Sequence, residues 1–316
     1  MPFVEIVGVT STNKTFSIAF AFIMNEKEES YNWVLTCLRS TLENCMHPRV
    51  IVTDRELALL NACRGVFPNA ARLLCRWHIT ENIRKNCRTL FNQQADWDSF
   101  RAMWTILVDS PTLVCYNKNY EKLQSMLRKI PLALMYVDSN CLLNYKEMFV
   151  FVWIDQHLNF GERTTNRVES QQSKLKKYIG LKNYSLDKFI GSIDRCVRSQ
   201  LTAIYDSFET SLINRRHEHN LEYFDDLRGF VSLEALDKLV GEIQRLRTHR
   251  LDFSNCGCII RHSCGLPCAC MLAPYLNSGG ESATPNSAWN TAPAMASFGW
   301  RGAALERQRQ GTRKAF

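Results

Sequence analysis

Between Arg49 and His78 the chain switches twice from a short apolar run to helical periodicity, and this alternation narrows the available folds more than any other stretch. Val50-Ile-Val-Thr53 is β-branched throughout and suits a buried strand. Leu57, Ala58 and Leu60 then recur at helical spacing until Gly65 and Pro68 end the pattern. Arg72-Leu-Leu-Cys75 is a second apolar run, and it leads into a helix opening with Trp77-His78. Strand, helix, strand, helix is the signature of an α/β sheet. Asp54 closes the first of these strands, and two roles are open to it. Thr53 and Glu56 match a capping box, which would make Asp54 a first-turn acid favoured by the helix dipole. A carboxylate at the C-terminal edge of a sheet strand also lies where reaction centres collect.

A chain of 316 residues has room for one large domain or two smaller ones. No apolar run approaches the roughly 18 residues of a membrane span, so no membrane partner is expected. The N-terminus opens on strand-like sequence with no signal-peptide pattern. Thirteen scattered cysteines without such a signal argue for a reducing compartment. Five of them fall between 256 and 270, a density that points to a metal site. The net charge is +8, and residues 161–200 carry nine Lys/Arg against four Asp/Glu. That local excess suits a polyanion, although a solvated helix face accounts for a charge run as well.

In chain order, Glu5–Val9 and Phe16–Met24 read as strands joined by a Ser-Thr-Asn-Lys hairpin. Glu28–Cys45 reads as an amphipathic helix with Trp33, Val34, Leu38 and Leu42 inward. With the 50–78 stretch the order is β-β-α-β-α-β. Only helical signals follow: Ile79–Leu90, Trp97–Val108 and Thr112–Ile130, with Pro111 and Pro131 as punctuation. Tyr145–Leu158 fits a buried helix or a strand. Gly161 to Ile179 opens on turn and cap residues and continues as a helix, with Val168, Leu175 and Ile179 on one face and Glu169 beside it. Ser185–His219 and Ser232–His249 are further helices. Residues 274–316 have the composition of a disordered tail.

Four motifs in this order carry a family resemblance: Val50-Ile-Val-Thr-Asp54, Cys75-Arg-Trp-His78, Phe160-Gly161 with Thr164-Thr-Asn-Arg-Val-Glu169, and the cysteine cluster from Cys256. Over roughly residues 1–272 the chain resembles plant Mutator-like element (MULE) transposases and the domesticated far-red-impaired-response proteins. The resemblance implies an RNase H-like α/β core over 1–78, interrupted by an all-α insertion over 79–160. It is completed by an acid-bearing helix over 161–183, then by helices over 184–250 and a small zinc module over 251–273. It also implies a nuclear, DNA-binding protein, with a homo-oligomer allowed. Three acids would hold two Mg²⁺ ions for DNA cleavage and strand transfer. Asp54 matches the second acid and Glu169 the third. The first acid belongs to a strand that should precede Met1; either the N-terminus is truncated or this copy has lost catalytic competence, and the chain as it stands is expected to be catalytically incomplete. The alternative is a domesticated transposase acting as a transcription regulator without enzymatic activity.

Cys75-x-x-His78 offers two ligands, fewer than a closed zinc site takes, and reads better as part of the active-site edge than as a metal site. Arg163, Arg167, Lys174, Lys176, Lys177 and Lys182 flank Glu169, and in a transposase they would neutralise DNA phosphates. Cys256-Gly-Cys258 and Cys268-Ala-Cys270 resemble the paired ligands of a SWIM-type zinc finger, with Cys270 where that pattern has histidine. Cys264 and His262 are rival ligands. The expected structural zinc set is Cys256, Cys258, Cys268 and Cys270, leaving Cys264 as a spare thiol and His262 facing solvent.

Overall fold

The structure is a computed structural model that describes residues 2–179, 186–221, 224–225, 227–248 and 256–277. The chain forms two compact units: Met1–Ile6 with Ile18–Ser170, and Val7–Ser17 with Gln171–Phe316. The division falls just after Glu169, inside the helix that the sequence marks as acid-bearing.

In the first unit the expected α/β alternation is present. Strands β1 (Phe3–Val9) and β2 (Thr15–Phe22) pair with each other, and the turn between them closes through the Thr10 N–H and the Lys14 carbonyl, at 2.8 Å. Asn13 takes the left-handed φ of +62° that such a turn needs and that Asn tolerates. Helix α1 (Glu28–Thr41) precedes β3 (Val50–Thr53), followed by α2 (Leu57–Val66) and β4 (Ala71–Leu74). β3 and β4 run parallel, with Val50 opposite Ala71 and Thr53 opposite Leu74. The described strands thus form two separate pairs where the sequence pattern suggests one continuous sheet.

Tyr31, Val34 and Leu35 of α1 pack on Ala62, Cys63 and Val66 of α2 and on Ile23 and Phe67. Trp33, expected inward, is 61% exposed. It lies about 100° around the helix from Val34, off the stripe that Tyr31, Val34, Leu35 and Leu38 share.

Helices α3 (Arg76–Cys87), α4 (Gln94–Val108), α5 (Leu113–Leu127) and α6 (Pro131–Val137) follow, in the stretch the sequence reads as an all-α insertion. Pro131 begins a helix here: at its first turn a proline loses no needed N–H. A π-helical turn over Asp138–Leu142 leads into the single turn α7 (Leu143–Tyr145). The Tyr145–Leu158 ambiguity resolves as short helical turns, including α8 (Phe151–Ile154). Phe100, Leu107, Leu123, Leu127, Val137 and Phe149 are buried in one apolar core, together with Leu60 and Leu74 from α2 and β4.

Helix α9 (Asn166–Ile179) crosses from the first unit into the second. The second unit continues with α10 (Leu186–Ile213) and α11 (Leu233–Thr248), then the short α12 (Ile259–Cys264) and α13 (Ala269–Asn277). Leu236, Leu239 and Ile243 of α11 meet Cys264, Leu266 and Leu272 in a smaller apolar core. The expected tail therefore cannot begin at residue 274, because α13 runs to Asn277; the rest of the tail lies outside the described residues.

Candidate functional site

Two candidate sites emerge, one in each unit. In the first, parallel pairing puts the C-terminal ends of β3 and β4 side by side, so Asp54 and Cys75 leave the same edge. The capping box does not form. Helix α2 starts at Leu57 with Glu56 as its N-cap residue, and the Thr53 hydroxyl donates to the Asp54 carbonyl at 2.9 Å. Asp54 is exposed in the connecting loop while its neighbours are tied down. Arg55 donates to the Asn140 carbonyl and lies over the Tyr145 ring, and Tyr31 donates to Glu56 at 2.7 Å. Burial and the Glu56 carboxylate push the Tyr31 phenol well above its ordinary range, so it remains a donor.

Cys75 is wholly buried and caps α3. Its sulfur accepts from the Thr165 N–H at 3.3 Å and from the Thr165 hydroxyl at 3.2 Å. The same hydroxyl lies 3.4 Å from His78 Nδ1 and 3.3 Å from Glu169 Oε1. Thr165 therefore joins Cys75, His78 and the first turn of α9 in one polar group. Sequence reasoning gave Thr165 only the role of a cap residue; the one signal was its place four residues, a single turn, before Glu169. Among the described residues neither Asp54 nor Glu169 joins a set of three ligand side chains close enough to hold an ion.

The segment before α9 is fixed by the insertion. Arg163 donates from Nη2 to both carboxylate oxygens of the buried Asp155 at 2.8–2.9 Å and stacks 3.4 Å from the Phe151 ring centroid. Arg76 covers the same ring at 4.8 Å, and its N–H donates to the Arg163 carbonyl. Arg167 pairs with Glu162 at 2.5 Å. Lys174, Lys176 and Lys177 are exposed on α9, whereas Leu175 and Gln171 of the same helix are buried. Lys182 lies outside the described residues.

In the second unit Cys256, Cys258, Cys268 and Cys270 converge, with all four sulfurs within 4.8 Å of one another. The backbone makes this possible. Gly257 and Cys258 are both left-handed, at φ +66° and +46°, and Gly265 ends α12 at φ +68°. A side chain at Gly257 or Gly265 would be strained in that region. Cys264 is buried in the apolar core instead, and His262 is exposed.

Cys256, Cys258 and Cys270 do not ionise alike. Burial opposes ionisation of Cys256, but N–H donation from Cys258 and Cys270, the Cys270 thiol and the Arg245 charge outweigh it and lower its pKa. Burial raises Cys258, helped by the negative charge of Cys268 and Cys256. Burial and the surrounding thiols push Cys270 far up. A dication at the centre of the cluster would let all four sulfurs ionise. Four sulfurs in tetrahedral contact with zinc, at bonds of about 2.3 Å, lie a little under 4 Å apart, so this donor set fits such an ion. Sequence reasoning missed two flanking residues on α11. Glu242 accepts the Ala269 N–H at 2.6 Å, and Arg245 donates to the Cys256 sulfur at 3.0 Å. The only hint was an acid and a base three apart on a helix upstream of the cluster.

Among the described residues no helix is long and apolar enough to cross a membrane. Residues 1–82 match the MULE transposase domain family. Over 270 residues, 78% of this chain, it is 22% identical to the PKS-NRPS hybrid synthetase cheA of Chaetomium globosum, covering 6% of that protein. It is 29% identical over 100 residues to FAR1-RELATED SEQUENCE 5 of Arabidopsis thaliana, covering 31% of this chain and 12% of the relative. FAR1-RELATED SEQUENCE 6 of the same plant is 33% identical over 95 residues, 30% of this chain and 13% of the relative. The chain thus spans only a small fraction of the length of the curated relatives it matches. The domain match covers the segment in which β3 delivers Asp54 to the sheet edge, and together with the plant relatives it shows that residues 1–82 are similar to MULE transposase domains and that part of the chain is similar to FAR1-type proteins.

Proposed function

We propose that the chain is part of a transposase-derived nuclear protein that binds DNA through the exposed lysines of α9 and holds one structural zinc ion. The MULE domain match, with Asp54 at the open edge of the β3–β4 pair, carries this reading. In it, β3 and β4 belong to an RNase H-like core and α3–α8 are an insertion into that core. Lys174, Lys176 and Lys177 meet phosphates; Lys182, outside the described residues, is a further candidate by its charge. Arg163 and Arg167 serve more to shape the segment, because each already has a carboxylate partner. Contacts of this kind give affinity without sequence preference. Titrating the full chain with duplexes of unrelated sequence tests the idea. Replacing all three lysines with alanine should weaken binding evenly and flatten the salt dependence by about one log–log unit per lost contact. Unchanged salt dependence would remove α9 from the interface.

Zinc would be held by Cys256, Cys258, Cys268 and Cys270, where it cross-links residues too few to bury a core of their own. The donor set of the first unit does not suit the two magnesium ions of a cutting enzyme. Asp54 and Glu169 are two of the three expected acids, and no third ligand gathers with either among the described residues. That observation favours a non-enzymatic role such as transcription regulation for the 316-residue chain taken alone. It should show no Mg²⁺-dependent cleavage or strand transfer. Robust cleavage that disappears in Asp54→Asn would reverse this reading.

A further inference from the structure

The two Cys-x-Cys pairs are separate in the chain, yet both are tied to one turn of α11. Glu242 Oε2 accepts the N–H of Ala269, the residue between Cys268 and Cys270, at 2.6 Å. Glu242 Oε1 accepts from Arg245 Nη1 at 3.1 Å. Arg245 Nη2 in turn donates to the Cys256 carbonyl at 3.3 Å and to its sulfur at 3.0 Å. One carboxylate–guanidinium pair therefore links one cysteine pair to the other. The Glu242 side chain is 11% exposed, and a backbone donor and a guanidinium satisfy its two oxygens. The planar fork of arginine allows this double reach, since one nitrogen meets the acid while the other meets the cysteine.

We infer that Glu242 and Arg245 are positioning residues for the metal: they hold the two cysteine pairs in register around the ion and slow its departure. The inference rests on the zinc reading above. Groups that orient metal ligands without touching the ion commonly change metal affinity by about 10–100-fold. Here the guanidinium also offsets the double negative charge that four thiolates leave around a dication. The pair ties the module to α11, whose Leu236, Leu239 and Ile243 share a core with Leu266 and Leu272. Loss of the pair should therefore loosen the sulfur cage without emptying the core.

The test is the rate at which the full zinc-loaded chain gives up its metal to a colorimetric zinc chelator in excess. Arg245→Met keeps the aliphatic stem and should release zinc about 10–100-fold faster than wild type, as should Glu242→Gln. Arg245→Lys keeps the charge but loses the fork, and its rate should fall between those of wild type and Arg245→Met. Lys238→Met, an exposed change on the same helix, should leave the rate unmoved. The metal-free melting curves of all four variants should coincide with wild type, which separates positioning from folding. Wild-type release rates in both Arg245→Met and Glu242→Gln, with one zinc still bound, would overturn the inference and leave the zinc reading standing. Acceleration in Lys238→Met equal to that in Arg245→Met would overturn it too, as a general effect of α11. A wild-type chain that takes up no zinc would instead overturn the zinc reading itself.

Discussion

Cys87 and Cys141 in the insertion and Cys256 in the C-terminal module are all buried thiols, yet they shift in opposite directions. Burial pushes Cys87 and Cys141 up to about 11, and the charge of Arg55 does not rescue Cys141. Cys256 is lowered because backbone N–H groups and Arg245 point at its sulfur. Cys87 and Cys141 therefore behave as small apolar side chains, while the four cysteines of the module form a group that could hold a metal ion. Their cores differ in the same sense. The insertion buries Phe100, Trp104, Leu123, Leu127 and Phe149 together, enough apolar surface to order its helices without help. The short α12 and α13 bring mainly Cys264, Leu266 and Leu272 to their core and depend on a cross-link for the rest.

The largest expected effect breaks this contrast open. Removing metal, or introducing Cys258→Ser, should collapse amide-exchange protection in α12, α13 and the end of α11, by more than ~100-fold given the folding energy a structural zinc supplies. Amides of α4 and α5 should hold their protection in the same experiment. Equal loss in both regions would mean that the insertion also leans on the metal. Next in size, Leu123→Ala should destabilise the insertion by about 3 kcal/mol, read from denaturant unfolding, with zinc content unchanged. Arg163→Ala strands the buried Asp155 and uncovers Phe151. It should cost about 2 kcal/mol, discounted because the guanidinium is a quarter exposed, and it should weaken DNA binding no more than stability requires. A selective loss of DNA affinity would instead move Arg163 into the interface. The smallest effect is Thr112→Ala, which removes the side-chain cap on α5, the Cys115 N–H to Thr112 bond of 3.2 Å. About 1 kcal/mol should be lost from the insertion and nothing from the module.

Much of the fold was legible along the chain. The helices at 94–108, 113–127 and 233–248 follow from apolar spacing, and β3 and β4 from β-branched and apolar runs between turn residues. These are local facts, set by how neighbouring side chains fit a helix or a strand. Two Cys-x-Cys pairs with glycines close by likewise announce a cluster through their spacing alone. Trp33 misleads because an aromatic looks like core until the rest of the helix is placed.

What tertiary structure alone decided lies in contacts between residues far apart in sequence. Spacing along the chain does not reveal that Thr165 reaches Cys75 across 90 positions, or that Arg163 shares the Phe151 ring with Arg76. Nor does it reveal that a salt bridge on α11 holds both cysteine pairs. Such contacts arise only when the apolar cores close and bring polar groups out of water, where each must find a partner in whatever the packing puts beside it. The sequence alone determined which residue types were available and which local elements would carry them. The packing selected which cysteines meet as a cluster and which stay inert in the core.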